Sequence, residues 1–224
     1  MRRHSRAQLG LMRGCCALVV VGVVVVAAAI FLAVRATAAP DLGAAPSGPD
    51  DGDGQTAIAV RLAAELVPQL LLNANGTVTL SEQDLTVLAN EHGAGGLSGA
   101  TVRARNGQLV VSGQHPFGPF TVTPVAHLSV ALDTTGSPPK LTTQVEQFEV
   151  GQLGVPGFVR DRMLGSLSSS VDLGQVFGGT PALQALEGNI ECAAVVDGDS
   201  GSQAGLRIGV HRPGAAANTA VCTS

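Results

Sequence analysis

The sequence predicts an α+β protein: an N-terminal transmembrane helix, then a strongly curved antiparallel β-sheet packed on helices. Three observations point there. Residues 14–34, GCCALVVVGVVVVAAAIFLAV, are 21 positions without a charge. As a helix rising about 1.5 Å per residue they reach across the roughly 30 Å hydrocarbon core of a bilayer. Further on, several segments alternate apolar and polar residues with a strand's period of two, and Asn106-Gly107 stands between two of them as a hairpin signal. Shorter stretches carry the period of an amphipathic helix.

The flanks of the apolar span orient it. Arg2, Arg3, Arg6 and Arg13 precede it and only Arg35 follows closely, which places the N-terminus in the cytoplasm and residues 36–224 outside. The rival is a cleavable signal peptide, since Ala36-Thr37-Ala38 suits the small-residue cleavage rule; both readings put the domain outside. The expected organisation is a cytoplasmic basic tail (1–13), a transmembrane helix (14–34), a flexible linker (35–55), an extracellular α+β domain (56–212) and a C-terminal tail (213–224). The expected location is the cell membrane, crossed once.

The linker, ATAAPDLGAAPSGPDDGDGQ, has no apolar period. Asp50, Asp51 and Asp53 fail the EF-hand pattern, because Thr56 and Leu62 stand where Gly and Glu are required. Residues 56–72 read as a helix buried on most sides, with one polar stripe of Arg61, Glu65 and Gln69 and a kink from Pro68 near Ala64. Asn75-Gly76 should end it, and Thr77–Leu80 should begin a strand. Asn75-Gly76-Thr77 is also a glycosylation sequon, read here as a turn. Ser81 caps a second helix with acids in its first turn, running to about Glu91.

A hairpin follows, Thr101–Arg105 and Gln108–Ser112 around Asn106-Gly107. The longest strand should run from Phe120 to Asp133, with Pro124 at an edge or bulge. Leu141–Val150 answers it, and its alternation slips at Gln147-Phe148, which implies a bulge and a bend. Residues 157–173 read as a helix with Met163, Leu164, Leu167 and Val171 on one face. Strands Asn189–Val196 and Gly205–Arg212 close the domain. The count is about seven strands and three helices.

Composition excludes several functions. All 17 acidic residues lie after Arg35 against eight Lys and Arg, so the exported part carries formal charge −9. That is the wrong sign for a nucleic-acid partner. Trp and Tyr are absent, which removes aromatic platforms for bases or sugars. The five histidines have no metal-ligand spacing, so neither metal nor cofactor is expected. Gly198-Asp199-Ser200-Gly201-Ser202 is similar to a serine-protease nucleophile segment, with His127 as a conceivable base. Too few residues surround them for two barrels, and Gly, Asp and Ser are what a hairpin loop needs. Arg160, Asp161 and Arg162 read as a solvated helix end. Cys15 and Cys16 lie at the cytoplasmic edge of the span, whereas Cys192 and Cys222 lie in the oxidising compartment and are expected to pair.

The order VTLSEQDLTVLANEH, a hairpin, GQLVVSGQHPFGPFTVTPVAHLSVALD, then EVGQLGVPGFVRDRML and a closing strand pair resembles the YpmS-like family of Gram-positive membrane-anchored proteins. More loosely it is similar to bacterial members of the tubular lipid-binding (TULIP) superfamily. The likeness covers about residues 75–212. It implies a curved antiparallel sheet wrapping a long helix, with an apolar groove for lipid chains. The expected function is thus a non-enzymatic, membrane-anchored lipid- or lipoglycan-binding module. Phe120, Val122, Leu128, Val130, Phe158, Met163, Leu164, Leu167 and Val171 are its candidate groove lining. The alternative is an envelope protein–protein interaction or regulatory module with a closed core, partnered through the surface.

Overall fold

A computed structural model describes residues 24–28, 30–32, 34–38, 42, 46, 54–91, 97–117, 120–133, 135, 139–154, 170–171, 187–198 and 203–222. The chain is α+β with antiparallel sheets and few helices. An apolar helix, α1 (Val24–Thr37), comes first. Two further helices follow, α2 (Gly54–Leu72) and α3 (Glu82–Glu91), separated by strand β1 (Asn75–Ser81). Then come β2 (Ser98–Arg105), β3 (Gln108–Phe117), β4 (Phe120–Val122), β5 (Pro124–Asp133), β6 (Lys140–Val150), β7 (Leu153–Gly154) and β8 (Ser170–Val171). The last strands are β9 (Ile190–Val196) and β10 (Gly205–His211), followed by a 3-10 turn at Thr219–Cys222.

Two sheets result. One has the order β1-β10-β9; the other has the order β2-β3-β5-β6-β7, with β4 on β3 and β8 on β6. In the smaller sheet Val78 and Leu80 of β1 lie opposite Ile208 and Leu206 of β10. Their alternation turns every second residue to one face. There they meet Ile58, Leu62, Leu66 and Leu70 of α2, spaced to form one helical face, in the main core. Leu141, Val130 and Leu132 of the larger sheet reach the same core. A second, smaller cluster joins Val102, Ala104 and Leu109 to Ala204.

The Asn106-Gly107 turn forms as expected. Both residues have positive φ, 53° and 72°, the requirement of a type I′ turn. The expected bulge is present as a register shift in the β5–β6 pair. His127 lies opposite Gln147 and Leu128 opposite Val145, so Glu146 is the extra residue. Pro124 starts β5 after a break at Thr123, which divides the expected single strand into β4 and β5. A ring nitrogen without hydrogen is tolerated at such a start.

Three other expectations are corrected. Helix α2 is buried on one side only: Val60, Val67, Leu71 and Leu72 are exposed. Apolar composition alone does not fix how many neighbours a helix meets. Asn75-Gly76 belongs to β1 and pairs with His211 and Val210, because the close approach of Gln69 and Leu66 suits a glycine in the strand. Within the expected helix 157–173, Ser170–Val171 is instead strand β8, paired with Thr142 and Leu141 of β6. An exposed row of β6 backbone groups outweighs a helical period there. The rest of that expected helix, 157–169 and 172–173, lies outside the described residues, as do Asp50, Asp51, Asp53, Cys15, Cys16 and Ser200.

Sheet edges are sealed by helix side chains. Glu82, Thr86 and Asn90 recur every fourth residue along α3. Their oxygens accept hydrogen bonds from the backbone N–H groups of Ala104, Val102 and Ala100, at 2.9, 3.0 and 2.9 Å. Four helical residues rise about 6 Å and two strand residues about 6.8 Å, so the helix runs in step with the edge of β2. Gln69 does the same for β1, accepting from Thr77 N–H at 3.0 Å and donating to Thr77 C=O at 2.9 Å. Part of the polar stripe on α2 thus satisfies backbone groups that would otherwise be orphaned. Replacing Thr86 with the isosteric valine is expected to strand the Val102 N–H and cost about 1–2 kcal/mol, measured by chemical denaturation of the full chain in detergent.

Candidate functional site

The expected groove residues divide. Leu128 and Val130 lie on the inward face of β5, opposite Leu109 and, past the bulge, Val145 and Thr143. They are half-buried and pack on the clusters already described. Phe120 and Val122 lie on β4, where Phe120 pairs with Phe117 and its side chain is exposed. Val122 is half-buried. Val171 is in β8, opposite Leu141. Phe158, Met163, Leu164 and Leu167 lie outside the described residues. Leu128 and Val130 are therefore brought together on the core side of the sheet, with Phe120 apart from them on the β4 hairpin.

Two apolar surfaces are open. Helix α1 exposes Val24, Val25, Val26, Ile30, Phe31, Leu32 and Val34. Its last turn is tied to the domain at the turn between β6 and β7. The Gln152 N–H donates to the Arg35 carbonyl at 2.9 Å, and Arg35 Nη1 donates to Gln152 Oε1 at 2.9 Å. The Gly151 backbone comes so close to the carbonyl oxygens of Arg35 and Ala36 that a Cβ would stand 2.4 Å from the latter. Its φ of +62° also suits glycine. The second surface is the outer side of α2, where Val60, Val67 and Leu71 share one stripe and Leu72 flanks its end, with Leu71 75% and Leu72 85% exposed. By length and composition α2 could itself cross a membrane, yet its other side is fixed in the core.

Buried charges are mostly paired. The Asp84 carboxylate accepts from Ser81 N–H and Oγ at 2.8 and 2.7 Å and meets Arg61. Glu82 receives the Ala104 N–H and Arg105 Nη1, the latter at 2.7 Å. Glu191, on β9, accepts from Asn75 Nδ2 with both carboxylate oxygens, at 3.0 and 2.9 Å, and its Oε2 takes the Asn218 N–H at 2.6 Å. The sequon asparagine is thus engaged inside the fold. Arg103 differs. It is 6% exposed, and its Nε and Nη1 have no hydrogen-bond partner. Burial pushes its guanidinium below the usual arginine range, Glu82 opposes that shift, and Arg105 adds to it.

Arg103 was missed by sequence reasoning, although the signal was there. A two-residue turn at Asn106-Gly107 sets Arg103 opposite Val110, and Val110 in turn lies opposite His127. The outward face of the larger sheet therefore carries an arginine beside a buried valine.

Among the described residues, no group of three or more His, Cys, Asp or Glu could hold a metal ion. His127 lies across the sheet from Val110 and Gln147. The disulfide is formed between Cys192 and Cys222 and ties the C-terminal turn to β9. Set against family models, curated proteins and solved structures, the chain has no significant match in any of the three.

Proposed function

We propose that the chain is a membrane-anchored, extracytoplasmic module that binds lipid or lipoglycan without catalysis. The observation that supports it most directly is the pair of open apolar surfaces, on α1 and on the outer stripe of α2. Water disfavours seven large exposed side chains on α1, and a bilayer core removes that penalty. In the sequence the uncharged stretch runs from Gly14 to Val34. The Arg35–Gln152 contact would then hold the β6–β7 turn close to the head groups, with Arg35 at the interface. The resemblance to membrane-anchored lipid-binding families agrees with this reading.

Native mass spectrometry of the full chain released from detergent tests it. A lipid adduct that saturates on titration is the expected result, and a bare mass throughout overturns the reading.

A closed-core module that engages an envelope protein is the second reading, and the α2 stripe is what favours it. A dye on Leu71→Cys in the full chain with Cys15→Ser and Cys16→Ser, embedded in nanodiscs, separates the two. Quenching by brominated lipid is expected if the stripe meets the bilayer; an unquenched, water-like signal favours a protein partner.

A further inference from the structure

We infer that Arg103 is an oxyanion-binding residue, and that the ligand it selects is an anionic amphiphile whose head carries a phosphate or carboxylate. This rests on the lipid-binding reading and narrows it to a head-group class.

The argument starts from a contrast. Glu82, Asp84 and Glu191 are as buried as Arg103, and each has its hydrogen-bond partners. Arg103 alone among these four leaves two donor nitrogens without an acceptor. Two buried donors in this state are costly, because they have lost water and gained no hydrogen bond in exchange. Such a group in a native fold calls for an explanation, and an absent ion or ligand is a principal one.

The local chemistry specifies the sign and shape of that ligand. Glu82, the nearby acid, takes the Ala104 N–H and Arg105 Nη1 and attracts Arg103, yet Nε and Nη1 of Arg103 stay without an acceptor. Arg105 lies two residues along the same strand and on the same face, which adds positive potential. On β3, Val110 faces Arg103 directly and is buried. Next to it Ser112 has its hydroxyl paired with Thr101 at 2.7 Å, and Val125 of β5 lies opposite Ser112. The guanidinium therefore has Arg105 on one side and the buried, apolar Val110 and Val125 on the other, with no acceptor for its Nε or Nη1. The negative oxygens of a lipid head group would supply that acceptor. The planar guanidinium presents its N–H groups to phosphate or carboxylate with a geometry that a lysine lacks.

The test uses the full chain in a non-ionic detergent, as wild type and as Arg103→Met, a substitution of similar length that removes charge and donors. Each is titrated with dioleoyl phosphatidylglycerol, dioleoyl phosphatidylcholine, oleate and inorganic phosphate, and read by native mass spectrometry and thermal unfolding. The wild type is expected to retain phosphatidylglycerol and oleate about tenfold better than phosphatidylcholine, and Arg103→Met to lose that preference. Stabilisation by inorganic phosphate equal to that by the lipid would locate the selectivity in a free oxyanion and overturn the amphiphile part. Equal retention of the two phospholipids by the wild type overturns the inference while leaving lipid binding intact. Retention of no lipid at all removes the underlying reading instead. If Arg103→Met fails to fold, the wild-type comparison decides alone: a higher melting temperature with phosphatidylglycerol than with phosphatidylcholine supports the assignment, and no difference refutes it.

Discussion

Asp84→Ala is expected to destabilise the domain by about 3 kcal/mol, because it breaks a buried ion pair and a helix cap in one change. Asp84 is 2% exposed. One carboxylate oxygen, Oδ2, receives the Ser81 N–H, the Ser81 hydroxyl and the Arg61 guanidinium. Ser81 in turn accepts from the Asp84 N–H at 3.0 Å, so the first turn of α3 is closed reciprocally. Alanine would strand the Ser81 N–H in a buried site and take from Arg61 its buried acid, while Glu65 stands 4.0 Å from the guanidinium. Arg61 keeps some contact with water, at 25% side-chain exposure, which holds the cost to the lower end of the range for buried pairs. Asp84→Asn retains an acceptor for Ser81 and should cost less. Urea denaturation of the full chain in detergent, followed by circular dichroism, measures both. A loss below about 1 kcal/mol for Asp84→Ala would show that the network adds little beyond a cap.

Removing the disulfide has the other large expected effect. Cys192 and Cys222 are 30 residues apart in the chain. Releasing a loop of that size restores chain entropy to the unfolded state worth about 3–4 kcal/mol. The folded state loses contacts as well, since the turn Thr219–Cys222 packs on β9 and β10. Glu191 depends on this segment too, through the Asn218 N–H. The double variant Cys192→Ala with Cys222→Ala should therefore lower the melting temperature markedly, and a reducing agent should do the same to the wild type alone. Gly209→Ala offers an independent check. A Cβ there would stand 2.5 Å from Cys192 Sγ and 3.2 Å from Cys222 Sγ, so the alanine must displace the bridge. It should approach the reduced protein in stability. Unchanged melting of the double variant would mean that the tail is held by other contacts.

Much of the local structure was readable because it depends on neighbours in sequence. Asn106-Gly107 names its own turn type, since few other pairs accept positive φ at both positions. Ser81, followed by Glu82 and Asp84, names a helix start, and the structure places Asp84 back on Ser81. The slip in alternation near Gln147 located the bulge to within a residue of Glu146. Cys192 and Cys222 were expected to pair, and the bridge is formed. The errors share a cause. Asn75-Gly76 and Ser170–Val171 were read from local preference, whereas β10 and β6, distant in sequence, supply their hydrogen bonds. Tertiary pairing routinely outweighs local propensity of this size.

The candidate site was less legible than the fold. A strand's alternation tells which residues share a face, and it put Leu128 and Val130 together correctly. It does not tell which face is covered, and those two residues pack on the core. Likewise the apolar run of α2 could not reveal that Leu71 and Leu72 stay open while Leu62 and Leu66 are enclosed.

Sequence by itself determined the parts whose physics is local or compositional: the uncharged span, the acidic balance of the chain after Arg35, the hairpin, the capped helix and the cysteine pair. Only the tertiary structure decided which charges keep partners in the interior. The Glu82, Thr86 and Asn90 ladder along β2, the carboxylate of Asp84 and the unaccompanied Arg103 each depend on elements brought together from distant positions. The reason is that hydrogen bonding and desolvation act over a few ångströms of space, and chain order does not specify those distances until the strands have paired.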